Sequence, residues 1–204
     1  MGLTADGEAC CFAVTWEVRD FWGVLVVVDR VEIPEGFYIR DGVPGDGPVL
    51  TRIAYAAKAH WGYDPRTIDQ WAGPLTVTEE YIRENPVFVM CAPSGEPVGF
   101  SSLLWDQGRW ELDHMWVDPP CMGMGLGRRL FEHAVNQARL RGASWVWILS
   151  DPFAEGFYLH MGAERIGDWH TVVDGEDRII PVMAYRMGAS CGDPEVLNGG
   201  IQGR

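Results

Sequence analysis

Gly123, Gly125 and Gly127 alternate through the stretch CMGMGLGRRL, and Arg128 and Arg129 follow at once. Glycines at that spacing let a ligand approach the backbone, and the unpaired amides of a first helical turn point outward to meet it. The helix dipole places roughly half a positive charge at such a start, and the two arginines add full charges beside it. This chemistry suits a phosphate or pyrophosphate, held without a metal. Read alone the motif is short: glycine-rich turns also merely connect elements, and dinucleotide folds carry the related GxGxxG. The dinucleotide reading further asks for an acidic residue about 20 residues on, after a second strand. Here the next strand-like run, SWVWIL, ends in Ser150, Asp151 and Pro152.

The elements that must hold this loop are legible from spacing. A strand-like run, RWELDHMWV at 109–117, flows into the turn. After it, Leu126, Leu130, Phe131, Ala134, Val135 and Ala138 predict one apolar helix face, with Arg128, Glu132, His133, Asn136 and Arg139 facing away and Gly142 as the stop. A strand over 144–149 follows. Next is a helix over 152–161, with Asp151 as N-cap, Pro152 in its first turn and Gly162 at its end. Upstream, the pattern predicts a strand near 37–40, a helix over 48–60, a turn at 62–65, a short helix around 78–85, and strands at 87–91 and 97–105. Two last strands fall near 164–172 and 179–187.

This order, a strand carrying Glu111 and ending MWVDP, the GMGLGRRL turn and helix, an apolar strand, then DPFAEGFYLHMGAE, resembles the GNAT superfamily of acetyl-CoA-dependent N-acetyltransferases. The resemblance runs from about Tyr38 to Met187 and is most specific over 111–164. It implies an α/β fold, a mixed and mostly antiparallel sheet flanked by helices, with acetyl-CoA as cosubstrate. It also implies that the backbone of Met115 and Val117 pairs with pantetheine and that Gly123, Met124, Gly125, Leu126, Gly127 and Arg128 form the pyrophosphate loop. One position departs from the family pattern: Met122 stands where a Gln or Arg is usual. Most phosphate contacts come from backbone amides, so binding is expected to survive the change.

Acetyl transfer from a thioester to an amine needs a group to accept the amine's proton and is helped by a donor to the departing thiolate. Positioning supplies much of the rest. Glu111, six residues before Val117, stands where histone-acetylating relatives carry their glutamate and is the expected base. A regular strand would put Glu111, Asp113, Met115 and Val117 on one face and Leu112, His114 and Trp116 on the other. His114 is thus a competing base from the opposite face, and Asp113 a candidate for positioning the acceptor. The resemblance implies that Tyr158, in the FY pair, points its hydroxyl at the cofactor sulfur as the acid, with Phe157 as its core partner. Asp151 stands where many relatives have an asparagine that touches pantetheine, and it is equally a helix cap. For the acceptor site, His60, Trp61 and Tyr63 in KAHWGYDP could wall an amine pocket, since aromatic faces suit cations, or could be core.

Composition bounds the reading. The chain has 204 residues, 47% hydrophobic and 22% charged, enough for one good core. Its net charge of −13 argues against a nucleic-acid surface and favours cationic partners, a small-molecule or peptide amine, though such charge also serves plain solubility. Five cysteines form neither a CxxC pair nor an even framework, which points to a reducing cytoplasm. No apolar run reaches the length of a membrane span. Lys58 is the sole lysine against fifteen arginines. Residues 1–36 hold two strand-like runs, 12–18 and 24–33, and read as an extension forming a hairpin that could support a homodimer. Residues 37–187 are the N-acetyltransferase-like domain, and the glycine-rich 188–204 reads as a disordered tail. The expected function is a direct N-acetyltransferase. The alternatives are a degenerate domain of the same fold that senses CoA or an amine, and a dinucleotide-binding oxidoreductase.

Overall fold

The computed structural model describes residues 34–173 and 176–187, together with the strands β1 (Glu17–Arg19) and β2 (Leu25–Val27). These two pair antiparallel in a small sheet of their own. The remainder of 1–33, including most of the two apolar runs, and the segment 188–204 lie outside the described residues.

One seven-stranded sheet organises the rest. Its strands are β3 (Tyr38–Asp41), β4 (Val87–Cys91), β5 (Pro97–Asp106), β6 (Arg109–Val117), β7 (Trp145–Leu149), β8 (Glu164–Val173) and β9 (Glu176–Arg186), in the spatial order β3-β4-β5-β6-β7-β9-β8. Every neighbouring pair is antiparallel except β6 and β7, which run parallel. That parallel pairing is short: Trp110 opposes Val146, Glu111 opposes Trp147, and the ladder ends there. Beyond Glu111 the two strands therefore splay, leaving a wedge between their C-terminal ends.

Helices cover both faces because the strands are apolar on both. All five residues of β4 are buried, and they alternate sides: Val87, Val89 and Cys91 pack with α1 (Gly47–His60), while Phe88 and Met90 face α5 (Leu126–Leu140). Leu50, Ile53, Ala54 and Ala57 make the buried stripe of α1. The six residues predicted for the inner face of α5 are all buried, and Arg141 and Gly142 end the helix, Gly142 at φ +83°. His133, expected to face away from that core, instead packs edge-on against Phe88, with ring centroids 4.6 Å apart.

Three further departures from the sequence reading bear on the site. Where only a turn was expected after α1, two short helices form, α2 (Pro65–Gln70) and α3 (Ala72–Leu75), before α4 (Glu79–Glu84). Asp64 caps α2 by accepting the Arg66 amide at 2.8 Å, and Pro65 fits its first turn. The helix expected over 152–161 is shorter, α6 (Glu155–His160), with Ala154 in the N-cap position. Asp151 is not that cap because residues 151–154 form a turn of their own, Ala154 N–H donating to the Asp151 carbonyl at 2.8 Å. Finally, β9 begins at Glu176, three residues earlier than its apolar pattern suggested, so Arg178 lies within the sheet opposite Thr171.

Candidate active site

The wedge between β6 and β7 has a backbone side and a side-chain side. On the backbone side, Met115 and Val117 pair with Ser101 and Gly99 of β5, and their other edge carries no strand partner among the described residues. At the end of β6 a 3-10 turn (Pro119–Cys121) leads to Gly123 and Gly125, both in the left-handed region at φ +79° and +77°. Gly125 is the N-cap of α5, so the chain reaches the helix with no side chain over its first amides. A Cβ on Gly123 would meet open space. Leu126 is buried and Met124 half-buried against the same core, which leaves their amides as what they can offer a ligand. The side chain of Arg128 contacts the His160 ring of α6, Nη2 to Nε2 at 2.9 Å, and Arg129 donates to the Phe37 carbonyl at 3.0 Å. An open strand edge leading to an uncovered helix start fits an extended chain ending in a pyrophosphate, which is the shape of CoA.

Glu111 does not share a face with Met115 and Val117. The pairing of β5 with β6 shifts between Ser102, opposite His114, and Leu103, opposite Leu112, so Asp113 is an inserted bulge residue. Ser102 and Leu104 lie on one side of β5, and their partners His114 and Glu111 therefore lie together. Leu112, Met115 and Val117 turn toward α5; His114 and Trp116 turn toward α1. One extra residue thus gathers Glu111, Asp113 and His114 on the face away from α5. Here Asp113 accepts from the Tyr81 hydroxyl at 2.5 Å, and that hydroxyl also contacts Ser102 Oγ at 2.7 Å. Burial, with Asp113 and Glu111 nearby, holds the Tyr81 hydroxyl well above the usual tyrosine range.

His114, buried against Tyr81 and Phe100, is held below the usual histidine range by desolvation, with Asp113 opposing the shift. It is neutral near pH 7. Trp116 Nε1–H donates to its Nδ1 at 3.1 Å, so the proton sits on Nε2, 3.8 Å from Asp113 Oδ2. The single lone pair of this imidazole is already used.

Beside these groups lies a cavity of about 480 Å³. Asp113, His114 and Trp116 line one part of it, and Lys58, Trp71, Asp151 and Arg178 another. Glu111 is buried and is not one of the residues that line it. The carboxylate of Asp151, 5% exposed, is shared by three side chains: Lys58 Nζ, Arg178 Nη2 at 2.9 Å, and the Tyr63 hydroxyl at 3.0 Å. It also accepts the Phe153 amide at 3.0 Å, so this carboxylate is committed within the protein and not free for pantetheine. Lys58 is ringed by Trp71, Tyr63, Trp61 and Trp116, with its Nζ 4.6 to 5.7 Å from the ring centres, and Arg178 lies 4.5 Å above Trp71. Desolvation pulls Lys58 below the usual lysine range, against the pull of Asp151. Of the three aromatics proposed from the sequence, Trp61 and Tyr63 belong to this cage, and His60 is exposed. Trp71 and Arg178 were missed. One signal did exist: Lys58 falls on the same helical stripe as Leu50, Ala54 and Ala57, and a charge on an apolar stripe needs a buried partner.

Tyr158, on α6, is 6% exposed and packs with Phe131 and Phe157. Desolvation first, then the Asp151 carboxylate, raises its hydroxyl above the usual tyrosine range, so it stays protonated at neutral pH.

Residues 54–163 match the model of the Acetyltransferase (GNAT) family. A peptidyl-lysine N-acetyltransferase of Salmonella typhimurium is 31% identical over 91 residues, 45% of this chain and 59% of that protein. The chain thus spans less than two thirds of this relative's length. Among solved structures, an N-acetyltransferase from Rhodopseudomonas palustris superposes with a TM-score of 0.62 at 20% identity, over 74% of this chain and 95% of the other. The PaiA N-acetyltransferase of Thermoplasma acidophilum, solved in complex with coenzyme A, superposes with a TM-score of 0.57 at 17% identity, over 74% and 99%. No helix among the described residues is long and apolar enough to cross a membrane.

Proposed function

The chain belongs to the GNAT acetyltransferase family, and from that premise we propose that it moves an acetyl group from acetyl-CoA to a primary amine of a small molecule or peptide, by direct attack in a ternary complex. The observation that carries this reading is the wedge itself: an unpaired edge of β6 that ends at an uncovered helix start, with a polar cavity on its other side. The bound thioester supplies an activated acetyl group and a thiolate leaving group. Everything else falls to this chain's own residues.

Met115 and Val117 offer backbone to pantetheine, and the amides from Gly123 to Arg128 offer hydrogen bonds to the pyrophosphate. Asp113, on the cavity wall, orients the acceptor's ammonium. Glu111 accepts the proton, through a bridging water because it does not itself line the cavity. His114 is the poorer base of the two, since Trp116 already occupies its lone pair. Tyr158 holds its proton until a thiolate forms nearby and donates to it. The five cysteines without a paired framework support a reducing cytoplasm as the setting of this activity.

Thiol release from acetyl-CoA across a panel of amines tests the whole reading. Glu111→Gln is expected to lower turnover on the order of a hundredfold near neutral pH, with partial recovery at high pH. Tyr158→Phe is expected to slow the reaction while cofactor affinity stays the same. A Glu111→Gln enzyme as fast as the parent, with His114→Gln inactive, would move the base to His114.

A further inference from the structure

The cavity has two electrically different ends. At one end sit Asp113 and, behind it, Glu111, two carboxylates beside a neutral imidazole. At the other end Lys58 and Arg178 share the single carboxylate of Asp151, which leaves a net charge of +1 in a chain of −13. Asp113 stands on β6 and Arg178 on β9, with β7 between them.

Arg178 is only partly used. Both of its hydrogen bonds, to Tyr63 Oη and to Asp151 Oδ2, leave from Nη2. Its Nε and Nη1 carry none among the described residues, although the guanidinium sits 4.5 Å from the Trp71 ring centre and forms part of the cavity wall. A guanidinium anchored through one nitrogen on a cavity wall, with Nε and Nη1 uncommitted, can take a carboxylate. An ammonium-only ligand would find a like charge there.

We propose that the acceptor is a compact amine that also carries a carboxylate, its amine toward Asp113 and Glu111 and its carboxylate on Arg178, with Lys58 completing the positive end. The flat walls supplied by Trp71, Trp116 and Trp169 suit an apolar or aromatic body between the two. A volume of about 480 Å³ suits a molecule of amino-acid to dipeptide size. The amine end rests on the N-acetyltransferase reading; the carboxylate end rests on the cavity alone.

Matched pairs that differ only in the carboxylate test this directly: tryptophan with tryptamine, phenylalanine with phenethylamine, ornithine with putrescine. Calorimetric titration of the full chain, with CoA present, is expected to show the carboxylated member of at least one pair binding tenfold tighter or more, the scale of a charge-assisted hydrogen bond, about 1.5–3 kcal/mol. Arg178→Gln brings that ratio toward one; Arg178→Lys, which keeps a charge beside Asp151 but loses the second nitrogen, reduces it in part. Equal or tighter binding of the plain amines, binding by neither series, or a ratio that survives both folded variants overturns the proposal. The comparison within the parent protein decides even if a variant fails to fold. Thiol release measured on the same pairs keeps the two readings apart. An Arg178-dependent ratio without thiol release overturns acetyl transfer and upholds the carboxylate site. Thiol release with no carboxylate preference does the reverse.

Discussion

The two sides of the wedge are built by different means. The loop from Gly123 to Arg128 is a contiguous run whose offering is backbone, exposed because glycine places nothing over it. The cluster of Lys58, Tyr63, Asp151 and Arg178 offers side chains, brought together over separations of 93, 88 and 27 residues. A backbone site depends on local conformation and is expected to tolerate changes of side chain, such as Met122. A side-chain site depends on the whole sheet being in register, and its parts answer to one another.

The largest effect should come from breaking the second kind. Asp151→Ala leaves Lys58 and Arg178 buried beside each other with no counter-charge, and the loss of one partner from a buried ion pair costs about 3–5 kcal/mol. Urea denaturation should show that loss. A cost below about 1 kcal/mol, the usual worth of a surface pair, would mean that water reaches the cluster and that the contrast between the two sides is weaker than drawn.

A smaller effect is expected from the loop. Gly125→Val forces a β-branched residue into the left-handed region, a strain of about 1–3 kcal/mol, and places a side chain over the first amides of α5. Acetyl-CoA affinity should fall tenfold or more, while ligand binding at the Arg178 end is retained. If acetyl-CoA binds the Gly125→Val variant as tightly as the parent, the loop is not its pyrophosphate site.

These regions also differ in how far they could be read from sequence. The loop, its helix and the six core positions of α5 are local patterns, and each lies where spacing put it. Glu111 was singled out by its place in the family-like strand and Asp113 and His114 by their nearness to it, but their shared face was misread, because a bulge leaves no mark in hydrophobic alternation when both faces are buried. Arg178 carried no signal. An arginine between acidic neighbours and the apolar run of its strand looks like any solvated charge until the sheet order puts β9 beside β7 and brings it to Asp151.

The smallest effect should follow removal of the N-terminal segment. A chain beginning at Glu35 retains both regions and the whole seven-stranded sheet, whose first strand starts at Tyr38. It should bind acetyl-CoA and acetylate amines as the full chain does, with changes confined to solubility or self-association. A folded truncation that binds acetyl-CoA but acetylates nothing the full chain accepts would place part of residues 1–34 at the acceptor side, and the division between the regions would need a third member.

Lys58 keeps the chain's single ε-amine off its outer surface. Thioesters acylate any accessible, neutral amine they meet, so a protein that concentrates one risks modifying itself. Here the chain's sole ε-amine is 8% exposed, tied to a carboxylate and walled by aromatic rings. The folded surface among the described residues therefore presents arginine for positive charge and no lysine target. An acyl mark on Lys58 would record either a molecule that had opened or an acetyl group delivered inside the cavity that Lys58 lines.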